Sequence, residues 1–573
     1  MWASKSPLEW RRRAVNGRMA LRHGLASTVP RCRQRTQDAP RAGARRHRTG
    51  GAAQPCARRV GGRAHHADVR ALGLFRRRAA LRVFSASTQG DGSLDPPLAH
   101  RPEPGIAGAG SAAAPPLRAA RLDRARPRGR RRRAARPALA APRAHGRSSR
   151  RGGRLSMGAV LDLSERFWRG EVRGPELVRA SGAVEEIAPD VLFVHAFANV
   201  TALRTAGGLV LVDTGNYRAR DKTFAAVRGW DARPLATAVY THGHVDHACG
   251  LPPFLDEAQR HGWPRPRIVG HRDVARRFDR YRATAPWNGL INARQFSIPP
   301  SWPTEYDYPD MTYADTQRLE IGGVALELTH ARGETDDHTW LWWAARRILF
   351  TGDLFFWVAP NAGNPQKVQR YAAEWAVALR AMAARGAEVL VPGHGVPVVG
   401  AGRVRQALED TAEWLETLER ETVARMNAGA SLEQILAEVR PPAHLADRPY
   451  LQPVYDEPEF VVRNVWRLYG GWWDGVPAHL KPAPQAALGR EVAALAGGVG
   501  ALVARAKALA TAGDLALASH LADWAIAAAP DDRGAHAARA EIYDARAKAS
   551  AALMTRGIFA AAARDSSAKA GGG

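Results

Sequence analysis

Ala236-Thr-Ala-Val-Tyr240 runs straight into Thr241-His242-Gly243-His244-Val245-Asp246-His247, an apolar strand pattern that ends in a cluster of histidines and one aspartate. Histidines at i and i+2 on a strand-to-loop junction can point their rings the same way, so His242 and His244 can both reach one cation. Asp246 and His247 then face a second position a few ångströms on. Imidazole nitrogen and carboxylate oxygen are borderline-to-hard ligands suited to zinc, iron or manganese. A merely polar loop rarely gathers such a set directly behind an apolar strand.

Working outward, Leu209-Val-Leu-Val212 is a second buried-strand pattern, entered through a turn at Ala206-Gly207-Gly208 and closed by Asp213-Thr214-Gly215. Val191–Val194 precedes it, and further strands are expected at Val324–Thr329, Thr339–Trp343, Arg347–Phe350 and Glu388–Val391. Strands interspersed with helical stretches, with polar residues at strand ends, predict an α/β domain whose site lies at the sheet edge. Four ligands do not fill two metal positions. Three more candidates stand at strand ends: Glu334 in His330-Ala-Arg-Gly-Glu-Thr-Asp-Asp-His338, Asp353 in Leu349-Phe-Thr-Gly-Asp353, and His394 in Val391-Pro-Gly-His-Gly395. Glycine before Asp353 allows a close backbone approach.

Taken in this order, the residues between about 185 and 400 resemble the metallo-β-lactamase superfamily. The resemblance implies an α/β fold, the αββα sandwich of that superfamily. It also implies that His242, His244 and Glu334 hold a first metal, that Asp246, His247 and His394 hold a second, and that Asp353 bridges them. Asp213 would support the ligand loop from behind. Asp246 and Asp353 are the candidate catalytic residues, two zinc ions (or iron or manganese) are the implied cofactors, and no residue is assigned to an organic cofactor. Most of the superfamily has a histidine where this chain has Gly333-Glu334-Thr335. The glutamate, and its nineteen-residue step to Asp353, resemble the alkylsulfatase branch. So does Val465-Trp-Arg-Leu-Tyr-Gly-Gly-Trp-Trp-Asp-Gly475, which is similar to the start of that branch's helical dimerisation domain.

Two departures stand beside these similarities. The branch bridges its metals with glutamate, whereas Asp353 is shorter. Its leaving-group acid is a histidine that is not metal-bound, and none occurs between Asp353 and His394; His338 or Asp337 are the substitutes on offer. The expected activity is hydrolysis of an alkyl sulfate-type ester by solvent whose pKa two shared cations lower from near 16 to roughly 7. Hydrolysis of a lactone, thioester or other ester on the same centre is the alternative. An anionic head group needs a basic clamp, for which Arg276, Arg277, Arg280, Arg282, Lys367 and Arg370 are available. A loop between Trp287 and Trp302, carrying Asn288, Asn292 and Arg294, is a candidate cover.

The totals bound the rest. A chain of 573 residues with net charge +28 looks like a nucleic-acid binder, but the charge is uneven. Residues 1–156 carry 37 Lys and Arg against 7 Asp and Glu, so the remainder is close to neutral. That first stretch is expected to be a disordered Arg-rich tail, read here as translated upstream DNA with Met157 the real start. Residues 157–400 are the expected catalytic domain and 401–565 an all-α C-terminal dimerisation domain. Leu408, Thr411, Ala412, Leu415 and Leu418 form an apolar helical stripe there, and Ala-rich helices pair about Gly513-Asp514. Cys32, Cys56 and Cys249 are the only cysteines, too few and too scattered for a thiolate zinc site. The expected partners are a small-molecule ester and a second copy in a homodimer, with neither nucleic acid nor membrane. The expected location is the cytoplasm.

Overall fold

The computed structural model describes residues 158–572; the expectation about residues 1–156 lies outside them. Seven strands form one sheet in the order of their numbering: β1 (Val184–Ala188), β2 (Val191–Val194), β3 (Val200–Thr205), β4 (Gly208–Val212), β5 (Leu235–Val239), β6 (Arg267–His271) and β7 (Met311–Tyr313). The first four pair antiparallel, as short turns allow. The pairs from β4 to β7 are parallel, as crossovers require. Six more strands form a second sheet: β8 (Thr316–Ile321), β9 (Val324–His330), β10 (Thr339–Trp343), β11 (Ile348–Gly352), β12 (Val389–Pro392) and β13 (Val398–Val399).

Side-chain alternation explains how the sheets stack. Val191, Phe193, Val210 and Val212 join one core with Leu326, Leu328 and Leu341 of the second sheet. Their neighbours Leu192, Val194, Leu209 and Leu211 point the other way, onto Phe254, Val274 and Phe278 of the covering helices. Both faces of these strands are therefore buried, which is why they read as unbroken apolar runs rather than alternating ones. Helix Ala372–Ala383 covers the second sheet through Trp375, Leu379 and Met382.

Packing continues across residue 400. Helix Ala401–Asn427 sends Val404, Leu408, Leu415 and Leu418 into the same core, and Val461 and Val465 of helix Pro458–Gly470 join it. Among the helices beyond 485, separate small cores form around Ala506 and Ala522 and around Leu502 and Ala525. Past residue 465, Trp466 packs against the main core, whereas Trp472 is 70% exposed and Tyr469 55%.

Candidate metal centre

Every predicted ligand sits just past the C-terminal end of a strand, where the backbone leaves the ladder and side chains converge. The segment after β5 carries His242 and His244, and the one-turn helix Val245–Ala248 carries Asp246 and His247. The β9–β10 connection supplies Glu334, the residue after β11 is Asp353, and the loop after β12 holds His394. All seven meet at one place. The ligand atoms of His242, His244, Glu334 and Asp353 lie within 4.8 Å of one another, as do those of Asp246, His247 and His394. Asp353 spans both groups: its carboxylate is 3.2 Å from His247 Nε2, 3.3 Å from His394 Nε2 and 3.7 Å from His242 Nε2. Gly352, at φ +50°, permits this, because a Cβ there would come within 2.8 Å of Thr241 and 2.7 Å of His338.

The donor set, imidazole nitrogens and carboxylate oxygens, suits cations. Asp213 accepts from the Thr241 amide at 2.8 Å, the Thr241 hydroxyl at 2.8 Å and His247 Nδ1 at 2.8 Å. The hydroxyl proton is thus spent, so Thr241 Oγ1 accepts from His242 Nδ1 at 3.0 Å. His394 Nδ1 donates to the Phe197 carbonyl. Each of these rings has its proton on Nδ1 when neutral and turns a bare Nε2 inward. The bare Nε2 atoms of His247 and His394 then face each other at 3.3 Å, and that of His242 is turned toward His244 Nδ1 at 2.8 Å. Glu334 Oε2 and Asp353 Oδ1 are buried without a hydrogen-bond partner. Buried lone pairs left facing one another are costly, and a metal pair removes that cost.

Asp213 holds its place at φ +57°, a strained setting for a non-glycine residue. Asp213→Asn is expected to weaken metal binding by about 10- to 100-fold, because whichever way the amide turns, its NH2 faces an existing donor. A competitive chelator titration of metal affinity checks this, and wild-type affinity would refute it.

Glu334 is held from behind. Arg370 Nη1 lies 2.7 Å from its Oε1, and Asn361 Nδ2 donates to the same oxygen at 2.5 Å. Burial raises the Glu334 carboxyl, but Arg370 and His244 outweigh it and bring it down to about 2. Arg370 thus backs the candidate ligand Glu334 while also lining the cavity.

Several expected roles are corrected by the structure. Arg277 is buried and its Nε lies 2.9 Å from both oxygens of Asp337, so it clamps no substrate. Asp337, tied also to the Gly243 amide at 2.9 Å, has no proton to give. His338 stacks behind His242 with ring centroids 4.6 Å apart and accepts from the Asp353 amide at 3.0 Å. Burial pushes its ring down to about 4, and it does not line the cavity, so it is no leaving-group acid. Arg276, Arg280 and Arg282 do not line it either. The expected cover loop is largely a helix, Ala285–Phe296, in which Asn292 faces the cavity while Asn288 bonds back to Thr284 and Arg294 to Gln366. Residues missed from sequence are Phe197, Asn361, Gln295 and Tyr455, which no local motif distinguishes from ordinary loop and helix positions.

Above the centre opens a cavity of about 410 Å³, with walls that include Phe197, Phe296, Trp302 and Phe356 and with Lys367 among its few cations. Residues 195–394 match the family model described as metallo-beta-lactamase superfamily, and residues 431–569 match the one described as alkyl sulfatase dimerisation. The chain carries a metallo-β-lactamase domain followed by an alkyl sulfatase dimerisation domain. That pair of domains sets the chain among metal-dependent hydrolases. A linear primary-alkylsulfatase of Pseudomonas sp. (strain ATCC 19151) is 28% identical over 365 residues, covering 59% of this chain and 68% of the relative. An (R)-specific secondary-alkylsulfatase of Pseudomonas sp. is 25% identical over 401 residues, covering 63% of this chain but only 58% of the relative. The metallo-β-lactamase fold is shared with the solved stereoselective inverting sec-alkylsulfatase Pisa1 from Pseudomonas sp., at TM-score 0.62 and 22% identity, with 70% of each chain covered.

Proposed function

We propose that the chain hydrolyses alkyl sulfate-type esters at two metal ions, zinc being the first candidate and iron or manganese the alternatives. His242, His244 and Glu334 hold one ion, Asp246, His247 and His394 the other, and Asp353 joins them. A metal pair supplies Lewis-acid activation of water and of the ester oxygen. The carrying observation is a floor of seven converging ligands beneath an apolar-walled cavity that contains a cation. Aromatic and aliphatic walls suit an alkyl tail. Lys367 suits the anionic head: it is half-buried, 5.5 Å above the Trp302 ring, and has no ion-pair partner among the described residues.

Turnover of a long-chain alkyl sulfate, run beside a panel of lactones and thioesters with metal content measured, tests the reading. Preference for the sulfate with about two metals per chain is expected. Preference for a lactone or thioester, or a metal-free active protein, refutes it.

Burial, and then Arg370, lower the Lys367 ammonium to about 8. A lysine is charged below its pKa, so binding of an anion, and proton donation to a leaving oxygen, are present at neutral pH and lost as pH rises through about 8. Lys367→Met is expected to raise KM about 10-fold or more and to abolish that alkaline limb of the kcat/KM profile. An unchanged limb would assign it to another group.

We also propose a homodimer. Tyr469, Trp472 and Trp473 are exposed together within the residues matched by the dimerisation model, and grouped exposed aromatics mark an association surface. Light scattering is expected to give twice the chain mass, and Trp472→Glu with Trp473→Glu to halve it.

A further inference from the structure

The cavity wall facing the metals is helix Ala285–Phe296, which contributes Asn292, Gln295 and Phe296. This helix ends at Ser297 in the left-handed conformation, at φ 54°, and rests on something unexpected: the last helix of the chain, Leu553–Gly571. The contact is backbone to backbone. A Cβ on Gly557 would lie 2.1 Å from the Gln295 carbonyl oxygen, 2.8 Å from its carbon and 3.0 Å from its Cα. Glycine in a helix interior is less favourable than alanine, and here its missing side chain is what lets the wall sit where it does.

The same terminal helix holds a second piece of the wall. Leu553 N donates to Val454 O at 2.8 Å, and the Thr555 hydroxyl donates to Glu457. Between those anchors lies Tyr455, which lines the cavity and whose hydroxyl accepts from Gln295 Nε2 at 2.8 Å. Arg564 Nη1 donates to Ser297 Oγ at 3.1 Å, farther along. Two wall segments far apart in sequence are thus fixed to one strut, and joined across the cavity side by a single hydrogen bond. Gln295 is 3% exposed, and its Oε1 has no partner, so nothing else on the cavity side holds that side chain.

We propose that the terminal helix sets the width of the tail-binding cavity, with Gly557 as the positioning residue. The C-terminal helices then build the site as well as serving association. The metal ligands are untouched by this contact, so a shifted wall alters tail binding and leaves the chemistry in place. The substrate part of this inference rests on the alkyl sulfate reading; the positioning part does not.

The test uses full-length Gly557→Leu, and Arg564→Ala as a milder variant that keeps the close contact but removes the outer tie. Hydrogen exchange of the amides of 288–297 is expected to rise by about 10-fold or more in Gly557→Leu and by less in Arg564→Ala. Metal content should stay at the wild-type level in both. KM for dodecyl sulfate is expected to rise about 10-fold with kcat within about twofold, and KM for hexyl sulfate to change less. Unchanged exchange in 288–297, or equal loss of kcat for short and long tails, overturns the proposal. Should the wild type turn over no alkyl sulfate, the exchange result still decides the positioning claim, and only the reading of the substrate falls.

Discussion

Asp353→Asn is expected to lower turnover by on the order of 1,000-fold and to leave the protein with at most one tightly held metal. The reason is geometric. Asp353 is the one side chain close to both histidine groups, 3.2 Å from His247 Nε2, 3.3 Å from His394 Nε2 and 3.7 Å from His242 Nε2. Asparagine keeps the shape but removes the negative charge, and its NH2 turns protons toward the position of a cation. The site offers no replacement: Glu334 is held by Arg370 and Asn361, and Asp213 is saturated by Thr241 and His247. Fold is expected to survive, since the amide of Asp353 still donates to His338 Nε2. Elemental analysis with steady-state kinetics checks both halves. A variant with full metal content and wild-type kcat would remove Asp353 from the centre.

The candidate ligands could be picked out in the sequence because most follow closely on an apolar run, as in Leu349-Phe-Thr-Gly-Asp353, and strand ends are where chemistry is carried. Of the strands buried on both faces, β2, β4 and β5 were legible for the same reason, whereas β3 was not, because Val200-Thr-Ala-Leu-Arg-Thr205 mixes polar residues among its apolar ones. β6 and β8 were not: Arg267-Ile-Val-Gly-His271 is short and mixed, and Thr316-Gln-Arg-Leu-Glu-Ile321 is a largely exposed edge strand whose apolar residues are few. The cavity walls were hidden by sequence distance. Phe197, Gln295 and Tyr455 meet only after two sheets and a helical region have packed, and no local period marks them. Cations misled for a related reason. Arg277 and Lys367 look alike in the chain, yet one is neutralised in the interior and the other faces the cavity; only the position of Asp337 separates them.

That buried pair carries the second large effect. Arg277→Ala is expected to destabilise the protein by about 3–5 kcal/mol at neutral pH, because it strands a carboxylate inside. Arg277 is 2% exposed and Asp337 fully buried, with Nε 2.9 Å from both oxygens. Burial alone would raise the Asp337 carboxyl, but Arg277 holds it far below the usual range. In the wild type this carboxylate therefore contributes stability above about pH 4, the unfolded value, and loses it only as pH falls toward the lower folded value. Without Arg277 the sign inverts. Burial now raises the folded pKa above the unfolded one, so the variant's deficit is largest at neutral pH and shrinks as acid protonates the group. Asp337 also accepts from the Gly243 amide at 2.9 Å, between the two candidate ligands His242 and His244. Loss of the pair should therefore loosen metal as well as fold. Arg277→Met combined with Asp337→Leu should recover much of the stability, since no charge is left stranded, but not the metal affinity, since the Gly243 amide has lost its acceptor. Denaturant melts at several pH values, with chelator titration of each variant, separate the two contributions; recovery of both in the double variant would show that the pair acts on packing alone.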